Sequence, residues 1–125
     1  MTMRRMEPEC NLVTVRDGRG GIFTYYPEDP IVEYNLIFTR SGEARGFHLH
    51  KEFDEYVLVA SGHGTYVERH EDGTETFVKV SAGDALQLPS GTAHTLYAIT
   101  DMRTIALLTK RWDDCEEPLT RIPER

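Results

Sequence analysis

At 125 residues, with 39% hydrophobic and 28% charged side chains, the chain has apolar material for one buried core without disulfides. Its formal net charge of −7 argues against nucleic acid or an anionic membrane surface as the main partner, because both need a basic face. No run reaches the roughly 18 apolar residues of a membrane span, and the first ten residues, MTMRRMEPEC, lack the apolar stretch of a secretory leader. The expectation is a cytoplasmic chain in which Cys10 and Cys115 are reduced thiols.

In chain order, residues 1–10 are polar and read as a flexible arm, or as an edge strand lent to a partner subunit. Residues 11–15 alternate weakly, and 17–21 (DGRGG) form a turn by composition. Residues 22–26 (IFTYY) are aromatic and β-branched, which predicts a strand stopped by the two prolines of 27–30. A longer strand covers 31–39 (IVEYNLIFT). Strands at 47–50 and 55–60 follow the turn at 41–43, and 61–64 (SGHG) turns the chain into 65–68. Asp72-Gly73 between two strand-like runs predicts a hairpin into 75–80. Strands at 84–88, 93–99 and 103–109 complete the series, and the proline-containing, acidic tail 110–125 reads as a docked loop or short edge element. Nine or ten short strands with regular turn signals and no sustained helical period predict an all-β sandwich or barrel over a single domain, 1–125.

One stretch carries chemistry. In 42–62 (GEARGFHLHKEFDEYVLVASG), His48 and His50 sit two apart, so in an extended strand both point to one face. A short turn through 51–54 returns Glu55 to the same place, and His94 arrives from a second stretch, 83–94 (GDALQLPSGTAH). Three imidazoles and a carboxylate suit one divalent transition metal, with Zn, Fe, Mn and Ni all compatible, rather than Ca or Mg. Arg19, Arg40 and Arg45 are candidates to hold an anionic substrate group, since guanidinium pairs well with phosphate and carboxylate. Gln87 is a further candidate, because an amide inside a strand needs a polar partner or solvent. Strand parity places Val57 and Val59 with Glu55, and Leu96 and Ala98 with His94. Tyr34, Phe38, Tyr66 and Tyr97 read as packing residues that could border the pocket. Outward-facing Tyr56 and Leu58 suggest a homodimer.

These two stretches resemble the two motifs of the cupin superfamily. The first asks for a glycine, five residues, H-x-H, three or four residues, E, six residues and a glycine, which Gly42, His48, His50, Glu55 and Gly62 meet. The second asks for G-x5-P-x-G-x2-H-x3-N, met by Gly83, Pro89, Gly91 and His94, with Ala98 at the asparagine position. The resemblance implies a cupin-like jelly-roll barrel with the metal site inside it.

Shorter pieces are similar to nucleotide-sugar enzymes. Residues 17–23 (DGRGGIF) look like the D-x-R-G-x-F segment of dehydrorhamnose-type 3,5-epimerases. Residues 45–51 (RGFHLHK) resemble the R-G-G-H-x-H-K segment of nucleotide-sugar 3,4-ketoisomerases, and 89–96 (PSGTAHTL) their P-x-G-x-x-H-T-L. That resemblance implies a catalytic pair, with His48 as proton-transfer base and Arg45 holding the diphosphate, in enzymes that generally work without metal. The two resemblances assign His48 different jobs. The function they imply is isomerisation or epimerisation of a sugar or nucleotide-sugar through an enediolate. An Fe(II) dioxygenase and a non-catalytic ligand-binding cupin are the alternatives.

Overall fold

The computed structural model describes residues 2–7 and 18–123. Among them, ten strands form two five-stranded antiparallel sheets. In chain order they are β1 (Arg4–Met6), β2 (Glu33–Thr39), β3 (His48–Leu49), β4 (Glu55–Ser61), β5 (His63–Arg69), β6 (Glu75–Ser81), β7 (Ala85–Leu88), β8 (Ala93–Ala98), β9 (Met102–Leu108) and β10 (Thr120–Arg121). One sheet has the order β1-β7-β4-β9-β2 and the other β10-β3-β8-β5-β6. This is the all-β sandwich expected from the strand pattern, with one correction to the jelly-roll barrel that the cupin resemblance implies. Among the described residues the two sheets do not close into a barrel, because no ladder of hydrogen bonds joins an edge of one to an edge of the other.

Local chemistry explains the connections. Gly73 N–H donates to His70 O and His70 N–H to Thr74 O, closing the β5–β6 hairpin. Asp72 fixes that turn by accepting from both the N–H and the hydroxyl of Thr74. Between β4 and β5 only Gly62 intervenes, a tighter passage than the four-residue turn expected. Residues 22–26 form no strand. Ile22, Phe23 and Tyr26 are exposed there, and the Tyr25 hydroxyl donates to Gly83 O. Residues 11–15 and Cys10 lie outside the described residues, and Cys115 is a free thiol. The N-terminal strand pairs with β7 of its own chain, Arg4 opposite Gln87. No described helix is long and apolar enough to cross a membrane.

Core packing occupies one end of the space between the sheets. Val59, Tyr66, Val80, Leu86, Leu88, Ala98 and Met102 form one buried cluster, and a side chain such as Leu86 contributes about 2 kcal/mol by leaving water. The same alternation that sends Val57 and Val59 inward sends Glu55 inward at the start of β4, and His94 inward on β8 beyond Leu96 and Ala98. The polar residues therefore gather at the other end of the sandwich.

Candidate metal centre

His48 on β3 lies directly opposite His94 on β8. His50 follows β3, and Glu55 reaches across from the opposite sheet. One ring nitrogen from each of His48, His50 and His94 lies within 4.8 Å of the others. Glu55 Oε1 is 3.6 Å from His50 Nε2 and 3.5 Å from His94 Nε2.

The hydrogen bonds behind the rings decide what faces inward. His48 Nδ1 contacts Gly46 O at 3.1 Å, His50 Nδ1 contacts Pro118 O at 2.8 Å, and His94 Nδ1 contacts Thr92 O at 2.8 Å. A carbonyl only accepts, so each ring carries a proton on Nδ1 and turns Nε2 away from that carbonyl. Glu55 Oε1, buried and without a hydrogen-bond partner, adds another acceptor. Three imidazoles and a buried carboxylate oxygen with no close hydrogen bond converge where a cation would be favourable. The donor set therefore fits a transition metal, and backbone carbonyls behind the imidazoles are the usual way such ligands are oriented.

Electrostatics agrees. Burial, with His94 and then His50 beside it, pushes the His48 imidazole down to about 4 despite the Gly46 carbonyl. Burial alone would raise the Glu55 carboxyl, but His94, His50 and His48 outweigh it and hold it below the usual range. Neutral imidazole and ionised carboxylate are the forms a metal takes.

His48, Glu55 and His94 border a cavity of about 90 Å³ whose other walls include Val57, Leu86 and Leu96. Arg45 stands at its rim, exposed, donating to Phe38 O and Thr39 Oγ1 across the open edge of β2. Arg40 and Arg45 share an adjoining surface groove of about 280 Å³. On the other side of Ile37 and Glu55, a wider depression of about 540 Å³ carries Glu33, Trp112 and Asp113. Hydrogen bonds from Asn35 and the Trp112 N–H hold the Glu33 carboxyl below its usual range, so that side is anionic.

Not every candidate joins the site. Arg19 is exposed on the stretch before β2. Gln87 faces away from the cavity, since Leu86 and Leu88 are the residues of β7 that line it. It accepts from Arg4 and donates to the Tyr56 hydroxyl at 3.4 Å. Tyr34, Phe38 and Tyr97 are exposed, whereas Tyr66 lines the cavity, and its hydroxyl donates to buried Glu68 at 2.7 Å. Burial, then Glu68, raises the Tyr66 phenol, so it stays protonated. Glu68 escaped sequence reasoning because a glutamate near a strand end reads as solvent-facing. Its shared parity with Tyr66 was the available signal. The three orienting carbonyls had none, because a backbone group is the same for every residue type.

Fold and site define a jelly-roll protein with three clustered histidines that could hold a metal ion. The Cupin domain family matches residues 37–109, more than half of the chain, and the chain belongs to that family. A curated relative, acireductone dioxygenase of Bacillus velezensis, is 33% identical over 58 residues, 46% of this chain and 33% of the relative, so the chain spans about one third of that protein's length. A solved 3,4-ketoisomerase from Helicobacter canadensis superposes with a TM-score of 0.77 at 15% identity, covering 98% of this chain and 92% of that one. The dTDP-6-deoxy-D-glucose-3,5-epimerase RmlC from Legionella pneumophila, solved with dTDP-4-keto-L-rhamnose, gives 0.71 at 18% identity, covering 97% and 78%. At these identities the structural likeness shows the fold.

Proposed function

We propose that the chain is a metal-dependent cupin enzyme that isomerises or epimerises a sugar-like carbonyl substrate. The observation that carries this reading is the convergence of three imidazole nitrogens beside the buried Glu55 Oε1. His48, His50, Glu55 and His94 would hold one divalent ion, which would polarise a carbonyl and carry the charge of an enediolate. In this reading His48 is a ligand, and its low proton affinity makes it a poor base at neutral pH. Among the described residues lining the cavity, the Tyr66 hydroxyl gives its proton to Glu68, so its oxygen would meet a substrate group as an acceptor. A cavity of about 90 Å³ takes the reacting end of a substrate, not a whole nucleotide-sugar. A diphosphate or carboxylate would lie over Arg40 and Arg45, directed there by the acidic depression opposite.

The test is solvent-deuterium incorporation next to the carbonyl of free and dTDP-linked keto sugars, with zinc-, manganese-, nickel- or iron-loaded protein. Exchange is expected only in loaded protein, and equal exchange after chelation sinks the metal-dependent reading. One observation favours a second reading, an Fe(II) dioxygenase: the sequence match to acireductone dioxygenase. Oxygen uptake by iron-loaded protein without deuterium exchange would select it.

The homodimer belongs to this proposal, but on a different surface from the one expected. Tyr56 is buried, its hydroxyl accepting from Glu28 N–H, whereas Tyr34 (69% exposed), Leu36 (77% exposed) and Phe38 line one face of the edge strand β2. An apolar stripe on a sheet edge invites a second copy. Leu36→Asp is expected to halve the mass measured by light scattering without changing metal content. An unchanged mass removes this face from consideration.

A further inference from the structure

The strand that carries His48 and leads into His50 is only two residues long, and it owes much of its support to the end of the chain. On one side β3 pairs with β8 at a single position, His48 opposite His94. On the other, Thr120 and Arg121 of β10 pair with Leu49 and His48, and Ile122 N–H donates to Phe47 O. Two residues before β10, the Pro118 carbonyl accepts from His50 Nδ1 and fixes that ring's tautomer and direction. The Trp112 and His50 rings meet edge to face with centroids 6.0 Å apart, and His50 stacks on Phe53 with centroids 4.5 Å apart.

What holds this segment down is slight. The Glu52 carboxylate accepts from Lys110 Nζ at 3.1 Å and from the Glu117 N–H at 2.7 Å. Lys51 pairs with Glu117 at 2.7 Å with both side chains more than half exposed. Trp112 N–H donates to Glu33. Exposed pairs of this kind contribute about 0–1 kcal/mol each, and none of residues 110–122 is fully buried. Segments with so little burial sit at the low end of local stability and open on their own.

From this arrangement we infer that residues 110–122 form a strap whose docking and the metal occupancy of the centre are coupled. The inference rests on the metal reading above. The docked strap orients His50; an ion held by His50 Nε2 fixes the ring whose Nδ1–H grips Pro118. By linkage each event favours the other by the same factor. Loss of an orienting partner behind a metal-bound imidazole costs about 10–100-fold in affinity, which sets the scale of the coupling.

Limited trypsinolysis of the full chain with and without zinc reads the strap directly, because Lys110, Arg111 and Arg121 lie in it while Lys79 in β6 and Arg103 in β9 report opening of the sheets. Zinc is expected to slow cleavage at the strap sites about tenfold more than at Lys79 and Arg103. His94→Ala, which touches no strap residue, should lose that protection. In reverse, Glu52→Ala, which removes the clasp but no ligand, should weaken zinc binding about tenfold by titration calorimetry. Zinc bound with uniform slowing at all sites, or with unchanged affinity in Glu52→Ala, overturns the strap and leaves the metal reading intact. Failure to bind any metal overturns both.

Discussion

His94→Ala is expected to strip the protein of its metal and of the stability that metal confers. Three of four ligands would remain, one of them the partly exposed His48, and the Glu55 carboxylate would lose the imidazole 3.5 Å away. A ligand at about 100 times its dissociation constant adds about 2.7 kcal/mol to the folded state, and for a domain of this size that is a Tm shift of roughly 10 °C. The wild-type Tm should therefore fall by roughly 10 °C on chelation and recover with zinc, while His94→Ala responds to neither. Glu55→Gln separates ligand from scaffold. Its amide N–H can donate to an Nε2 of His50 or His94, which lie 3.6 and 3.5 Å from the carboxylate oxygen. Metal-free Glu55→Gln should be more stable than metal-free wild type by about 1 kcal/mol, yet gain less from zinc. Differential scanning fluorimetry with elemental analysis reads both. A Glu55→Gln variant that is less stable without metal and equally stabilised with it would mean that the carboxylate is structural.

How much of this was legible in the sequence depends on which kind of atom carried the information. Side-chain identity at fixed spacing brought out His48, His50, Glu55 and His94, and strand alternation placed Val57 and Leu96 on the cavity wall. Spacing says where a side chain points within its own strand, not where the strand goes. Gln87 has the composition of a pocket residue, but its neighbours Leu86 and Leu88 take the inner face of β7, leaving it to Arg4 and Tyr56. Tyr56 looked like an interface residue by parity. The stretch around Glu28 covers it instead, and no periodicity predicts which loop lies on which sheet. The conflict over His48 was also beyond the sequence. The same ring serves as a base or as a ligand depending on what lies behind Nδ1 and how dry the site is. Here burial and the neighbouring His94 favour the neutral ring against the pull of the Gly46 carbonyl, which turns Nδ1 away from the centre.

The second large effect concerns the glycine that closes the first motif. Gly62 alone carries the chain from β4 in one sheet to β5 in the other, at φ +84°. A Cβ there would lie 2.1 Å from Asp101 O and 3.0 Å from Met102 Cα, both backbone atoms at the start of β9. Neither can swing aside as a side-chain tip would, because Met102 is buried and paired with Thr39. Gly62→Ala therefore meets two costs: left-handed backbone strain of about 1–2 kcal/mol, and a clash relieved only by separating β9 from the β4–β5 corner. Gly83→Ala isolates the first. Its φ is +95°, but a Cβ there would meet only the Phe23 ring at 3.6 Å, ordinary contact. Urea denaturation should show a loss of about 1–2 kcal/mol for Gly83→Ala and more than about 3 kcal/mol for Gly62→Ala, a large share of a typical folding free energy. Equal losses would mean that β9 yields to the added methyl. A much larger loss at Gly62 would mean that this glycine belongs to the motif for the corner it permits, while the residues between it and Gly42 are there for the metal centre.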